Sequence, residues 1–208
     1  MELHTWLLVV LLLAVVAWYL SFSASRLDRL HHRVDGARSA LDAQLVRRAE
    51  AALELATSGG LDPAAGLVVA GAAADALAAG EPESDAATGA LVEGGHTPLH
   101  IRLTPDGREQ AESDLTRALQ AALDDDLVTV LASDEVGRRL LDRLAAACRR
   151  VQLARRFHND AVTAAVRVRG KRIVRLARLA GRAPEPQTFE MDDDLPPALA
   201  DAPAPPLT

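Results

Sequence analysis

The hydrophobic residues of this chain are concentrated near its start and later recur at helical spacing. From Thr5 to Ser25 there is no charged residue, and this stretch includes the run LLVVLLLAVVAWYL. A helix rises about 1.5 Å per residue, so roughly 20 such residues cross the roughly 30 Å hydrocarbon core of a bilayer. Trp6, Trp18 and Tyr19 are placed where an aromatic belt would lie. We predict that residues 1–25 form a transmembrane anchor.

The charges that flank the apolar run predict its orientation. Residues 1–5 contain no Lys or Arg, whereas four arginines follow the run: Arg26, Arg29, Arg33 and Arg38. Because cytoplasmic flanks carry the excess of basic residues, we expect a short outside N-terminus and a cytoplasmic C-terminal part in a bacterial inner membrane. A cleaved signal peptide is the alternative, with a small-residue cleavage site at residues 21–25, but the basic region that precedes such a peptide's apolar core is missing.

Apolar residues recur at intervals of three and four behind the anchor, which predicts a helix from about Ser25 to Thr57. No glycine or proline separates it from the anchor before Gly36, so we expect one continuous rod. A second helix is predicted from Pro63 to Gly80. It is apolar enough to be weighed as a second span, but Asp75 would cost about 2.5 to 3.5 kcal/mol near a bilayer centre, and we assign it to a protein core.

Two further helices complete the predicted fold. The spacing predicts a third helix from Gly107 to about Leu123 and a fourth from Ser133 or Asp134 to near Gly170. Strand patterns are confined to two short stretches, His100 to Leu103 and Leu127 to Leu131. The fold class predicted is all-α. An N-terminal transmembrane helix is continuous with a long helix of an antiparallel four-helix bundle, which occupies residues 26–170.

Three segments lie outside this helical pattern. Residues 80–105 carry Gly, Pro and acids without a period, which predicts a flexible loop and a possible place for a partner. Residues 171–182 form a basic amphipathic segment. Residues 183–208 are acidic and proline-rich, which predicts disorder. Within them the sequence TFEMDDDL is able to fold on a basic partner or back onto the arginines of the chain itself, or to remain an idle tail.

The sequence contains no motif of an enzyme. It has no phosphate-binding glycine loop, no HExxH and no nucleophile elbow, and its single cysteine, Cys148, excludes an internal disulfide. The adjacent His31 and His32 point about 100° apart on a helix, and no metal or cofactor is predicted. The net charge of −6 and the scarcity of aromatic residues disfavour nucleic-acid binding.

Polar side chains occur within the apolar faces of the two long helices. We predict that they form an interhelical network, with Asp42 and Glu50 as acceptors, since an unpaired buried charge is costly. A ligand site is the less favoured alternative. The candidate network consists of Asp42, Gln44, Arg47, Arg48, Arg155, Arg156 and Asn159.

The charges are segregated along the chain. Residues 149–182 contain eleven Lys or Arg against one acid, whereas residues 62–126 contain thirteen acids against three arginines. If four helices alternate in direction, the end of the fourth returns to the anionic surface of the membrane, where each cation contributes about 1 kcal/mol. The candidate lipid-surface contacts are Lys171, Arg172, Arg175, Arg178 and Arg182.

Two stretches of the long helices carry a distinctive residue pattern. The first runs from Leu30 to Ala56, with its pattern at Val34, Ala37, Asp42, Gln44, Leu45, Arg47 and Arg48. The second is ARRFHNDAV, from Ala154 to Val162. Both resemble the LemA family of membrane-anchored helical proteins. The chain would be a divergent, actinobacterial-like member, since Lys171 is its single lysine and all its other Lys or Arg positions are arginine. It departs from the family pattern at His31, His32, Arg38 and His158. The resemblance implies a membrane-anchored helical bundle without an established catalytic activity.

The function predicted from these features is that of a single-pass membrane-anchored scaffold or interaction protein. Its partners would be the lipid bilayer and a protein that the sequence does not name. The alternative is a membrane-tethered accessory subunit that regulates a partner enzyme.

Overall fold

The computed structural model describes residues 2–80, 105–170 and 185–200, and these residues are helical or irregular without a strand. The all-α prediction is therefore confirmed for this part of the chain. The helices are α1 (Glu2–Thr57), α2 (Pro63–Gly80), α3 (Pro105–Ala122), α4 (Asp125–Ser133), α5 (Glu135–Arg169) and α6 (Pro197–Ala200).

The chain divides into two compact units. Unit 1 contains Met1–Ala40 and Arg156–Phe189, and unit 2 contains Leu41–Arg155 and Glu190–Thr208. The sequence predicts a single bundle over residues 26–170. The observed boundaries instead fall within α1 and α5, whose uninterrupted apolar periodicity gives no sign of a change of partners.

Helix α1 runs without a break from Glu2 to Thr57, as the absence of glycine and proline before Gly36 predicts. The three-and-four spacing also identifies its inward face correctly. In unit 1, Val34 packs in a small cluster with Ala161, Val162 and Ala165. In unit 2, the same face contributes a longer buried row to the core: Leu41, Leu45, Ala49, Ala52 and Leu55.

A tight turn connects α1 to α2. Gly59 has a φ of 80°, a left-handed conformation that favours glycine. Asp62 then caps α2, because its Oδ1 accepts from the backbone N–H of Ala64 at 3.0 Å. A side chain at Gly66 would place its Cβ 3.1 Å from the Ala56 carbonyl oxygen, so the small residue permits close packing of α2 on α1.

Helix α2 is the one helix of the described residues that is long and apolar enough to cross a membrane by length and composition. A shorter apolar helical stretch, His4–Val15, lies near the start of the chain. One face of α2 belongs to the core of unit 2 through Val69, Ala73 and Ala76, whereas Leu67 is exposed.

The sequence did not predict α4. Leu127 to Leu131, one of the two weak strand candidates, lies inside this helix. Asp124 is its N-cap, with Oδ1 accepting from the N–H of Leu127 at 2.7 Å, and Asp125 and Asp126 occupy its first turn. Three carboxylates at the unfavourable end of α3 are thus at the favourable end of the next helix dipole.

Helix α5 begins and ends within two residues of its predicted limits. Its apolar residues do not all face inward, since Phe157 is 57% exposed whereas the neighbouring His158 is 2% exposed. Val136 and Leu153 are also exposed, whereas Leu144, Val151 and Ala161 are buried. Periodicity alone cannot choose between adjacent residues near the edge of a stripe.

The prediction of disorder over residues 183–208 is wrong for residues 185–200. Phe189 is 2% exposed and Leu199 is 1% exposed, and Met191 is also buried. Pro196, which breaks regular structure, precedes the one-turn helix α6, and the carbonyl of Pro196 accepts from the N–H of Leu199 at 2.8 Å. A proline-rich composition prevents long helices but does not prevent an extended segment from packing on helices that are already formed.

Candidate functional site

A buried ion pair between α1 and α3 lies at the centre of unit 2. Arg48 is 2% exposed and Glu112 is 1% exposed. Nη2 of Arg48 donates to Oε2 of Glu112 at 2.6 Å and to the Glu112 carbonyl oxygen at 2.8 Å. Burial raises the pKa of the Glu112 carboxyl above its ordinary value, and the Arg48 guanidinium opposes this shift.

Thr116 connects this ion pair to the C-terminal part of the chain. Its hydroxyl accepts from Nη1 of Arg48 at 2.9 Å and donates to the carbonyl oxygen of Asp192 at 2.7 Å. The spacing of four residues puts Glu112 and Thr116 on one face of α3, so one arginine contacts both. The buried charge therefore orients the hydroxyl that holds Asp192.

Residues 190–200, which we name the docked segment, lie against side chains of α3 and α5. Gln152 Nε2 donates to the carbonyl of Asp193 at 2.8 Å, and Gln120 Nε2 donates to that of Asp194 at 3.3 Å. In the opposite sense, the N–H of Glu190 donates to Oε1 of Glu109 at 2.9 Å. The N–H of Asp192 donates to Oγ of Ser113 at 3.0 Å. We name the six side chains that hold this segment the groove: Glu109, Ser113, Thr116, Gln120, Gln152 and Arg155.

Arg155 provides the charged contact of the groove. Its Nε donates to Oδ2 of Asp193 at 2.8 Å and its Nη2 donates to Oδ1 at 2.9 Å. Glu190 is a more distant acid, with its Oε2 4.0 Å from Nη1. This two-point geometry matches the planar guanidinium to a carboxylate and makes the contact selective for an acid at position 193.

Unit 1 holds the residues that precede the docked segment. The side-chain amide of Asn159 donates to the carbonyl of Phe189 at 3.2 Å, and its Oδ1 accepts from the N–H of Phe189 at 2.9 Å. The guanidinium carbon of Arg38 lies 5.7 Å from the centre of the Phe189 ring, a cation–π distance. His158 Nε2 lies 3.3 Å from the carbonyl oxygen of Gln187.

An open cavity of about 460 Å³ lies in the same unit. Its lining is of mixed charge, since both cationic and acidic side chains contribute. The residues are His31, Val34, Asp35, Arg38, His158, Glu185, Pro186 and Gln187. Its polar atoms include the His158 ring, whose Nε2 contacts the backbone carbonyl of Gln187.

The structure does not bring the predicted polar network together as one cluster. Asp42 pairs with Arg108 of α3, with Oδ1 3.0 Å from Nη1, and Glu50 is exposed. The proposed acceptors of the long-helix arginines are thus corrected, because Glu112 is the partner of Arg48. Arg155 and Asn159 bind residues of the C-terminal part. Arg47 and Arg156 are exposed, and Gln44 is half-buried.

Sequence reasoning missed Glu112 and Thr116, and it gave packing of TFEMDDDL onto the arginines of the chain itself as only one of three alternatives. A signal for Glu112 was present, because it lies three and seven residues before Leu115 and Leu119 and so shares their apolar face. The order of Phe189, Met191 and Leu195 among acids was the corresponding signal for the docked segment.

Two sets of predicted contacts lie outside the described residues. They are the loop 80–105, except for its terminal residues, and the lipid-surface candidates Lys171, Arg172, Arg175, Arg178 and Arg182. Within the described ranges, no group of three or more His, Cys, Asp or Glu side chains is arranged to hold a metal ion. Cys148 is buried, and burial raises the pKa of its thiol, so it is a packing residue of the core.

Comparisons with protein-family models, with curated proteins and with solved structures gave no match.

Proposed function

We propose that this chain is a single-pass, LemA-like membrane protein that presents a cytoplasmic helical interaction module. The anchor would be residues 1–25 at the start of α1. The antiparallel four-helix bundle expected from the sequence and the outside position of the N-terminus are parts of the same proposal. The basic segment at residues 171–182 would add a contact with anionic lipid.

The observation that carries the anchor is the exposure of apolar side chains on every side of α1. Successive helical residues are rotated by about 100°, so the four consecutive residues Val10, Leu11, Leu12 and Leu13 point in all directions around the axis. All four are exposed, as are Trp6 and Trp18. A protein partner covers one face of a helix, whereas lipid surrounds it, so apolar residues on all sides favour a bilayer.

The support for an interaction module is the groove of unit 2. Its polar side chains hold a segment of chain by complementary donors and acceptors. Side chains that recognise an extended peptide are typical of peptide-binding proteins.

Extraction of membranes with alkaline carbonate tests the anchor. Leu11→Arg combined with Leu12→Arg should move the protein from the membrane pellet to the supernatant, because two charges near the middle of a span oppose insertion. Leu67→Arg combined with Val68→Arg is the matched control on α2, since both side chains are exposed. Release by the control but not by the α1 variant would assign the anchor to α2 and overturn the proposal.

Cysteine labelling tests the orientation. Cys148→Ala provides a chain without cysteine, into which Glu2→Cys or Ser133→Cys is introduced. A membrane-impermeant maleimide should label position 2 in intact cells and position 133, on the exposed surface of α4, only after lysis. Labelling of position 133 in intact cells would reverse the orientation.

A further inference from the structure

The docked segment is held largely through its main chain. Carbonyl groups of Asp192, Asp193 and Asp194 accept from side chains of the groove, and the N–H groups of Glu190 and Asp192 donate to it. Main-chain groups are common to all peptides. The groove is therefore able to accept other sequences that follow the same extended path.

Three positions of the segment add side-chain selectivity. Asp193 forms the two-point ion pair with Arg155, and the side chains of Met191 and Leu199 are buried. Asp192 and Asp194 are exposed. The pattern that the groove recognises is an apolar residue, an acid two positions later and a second apolar anchor further on.

The helices do not depend on this segment for their backbone hydrogen bonds. Each contact of the groove described above comes from a helix side chain, because the main-chain groups within a helix bond to one another. Loss of the segment, however, would uncover Leu199, which packs in the core of unit 2. Replacement by another peptide is thus favoured over simple release.

We infer that the groove is a binding site for an extended acidic peptide of a partner protein, and that residues 190–200 are the chain's own competitor for it. An anionic lipid or nucleic acid would supply a phosphate for Arg155. Neither ligand would place carbonyl groups opposite Gln120 and Gln152 and an N–H donor opposite Glu109 at the spacing of an extended main chain. The carboxylate of Glu109 also repels a polyanion. The groove favours a peptide.

This inference rests on the interaction role proposed above and names its site. The probe is a fluorescent peptide with the sequence of residues 187–200, added to the full-length protein in detergent micelles. The Asp193→Ala protein, whose own segment is weakened, should bind the peptide about tenfold or more tightly than the wild type, since the competitor has lost its ion pair. Adding Arg155→Ala should reverse this gain, because the peptide then has no cation to contact.

A charge exchange and a neighbouring arginine provide the controls. A peptide carrying Asp193→Arg should bind the full-length Arg155→Asp protein more tightly than it binds the Asp193→Ala protein. Arg156→Ala in the Asp193→Ala protein should leave peptide binding unchanged, because Arg156 is exposed and lies outside the groove. The inference is overturned if the Asp193→Ala protein does not bind the peptide, if Arg155→Ala has no effect, or if a scrambled peptide binds equally well. If carbonate extraction is normal while any of these results is obtained, the proposed membrane anchor stands and only the proposed peptide-binding site is rejected.

Discussion

Arg48 and Glu112 are held together in the interior of unit 2, with Nη2 of the arginine 2.6 Å from Oε2 of the glutamate. The same guanidinium donates to Thr116, which in turn donates to the backbone of Asp192. A charge pair buried between α1 and α3 is thereby connected to the docked segment.

Removal of Arg48 should strongly destabilise the fold. Arg48→Met leaves the Glu112 carboxylate buried without its cation and should lower the free energy of unfolding by about 3 to 5 kcal/mol. Arg48→Met combined with Glu112→Leu should recover most of this loss, because an apolar pair requires no charge compensation. Urea unfolding in mild detergent, followed by circular dichroism, measures both.

Arg143→Met is the matched control for the Arg48 variant. Arg143 pairs with Glu54 on the surface, so its loss should change the free energy of unfolding by no more than about 1 kcal/mol. Equal losses from Arg48→Met and Arg143→Met would show that burial of the Arg48 pair has no energetic consequence.

The stability that depends on Glu112 should fall as the pH rises. The carboxyl ionises near pH 4.5 in the unfolded chain and at a higher pH in the folded protein, because burial raises its pKa. Between these two values the folded state binds more protons than the unfolded state, so the free energy of unfolding decreases with pH. This contribution is fully present below the unfolded pKa and is lost above the folded one.

Glu112→Gln supplies the reference for this pH dependence, since an amide does not titrate. The free energy of unfolding of the wild type minus that of Glu112→Gln should decrease as the pH rises from 4 through the range between the unfolded and the folded pKa of Glu112. Above that range the difference should become constant. A difference that instead increases with pH would mean that Arg48 outweighs burial and lowers the pKa of Glu112.

Thr116 should couple the buried pair to the docked segment. Thr116→Val keeps the shape of the side chain but removes both the acceptor for Arg48 and the donor to Asp192, and we expect a loss of about 1 to 3 kcal/mol. Amide hydrogen exchange of residues 190–200 should accelerate more than that of α5. Thr116→Ser retains the hydroxyl and should preserve protection; equal acceleration in both variants would rule out the hydroxyl as the link.

Gly137 should not tolerate a side chain. A Cβ at this position would overlap the backbone carbonyl of Leu131 where α5 approaches the end of α4, so Gly137→Ala should lower stability by about 1 to 3 kcal/mol. Gly71→Ala is the matched control in α2, since nothing lies within 4 Å of its added Cβ. It should raise stability by up to about 1 kcal/mol, because alanine favours helix. Thermal unfolding of the two variants distinguishes them by the sign of the shift.

Much of the local structure was determined by the sequence alone. Its spacing predicted a continuous α1, the start of α2 at Pro63 and the limits of α5 to within about two residues, since apolar periodicity and helix-starting residues act over one or two turns. The same local rules predicted the buried row that contains Leu41 and Leu45. Membrane insertion and the LemA resemblance remain predictions.

Only the tertiary structure decided which residues meet. The partner of Arg48 is 64 residues away at Glu112, and that of Arg155 is 38 residues away at Asp193. No periodic pattern encodes such pairings. The acidic, proline-rich composition of the last segment correctly disfavours long helices there but contains no information about the groove on which the segment packs. Its order is supplied by Thr116, Gln152 and Arg155, because side chains fixed by the helices satisfy the main-chain groups that the segment cannot satisfy by itself.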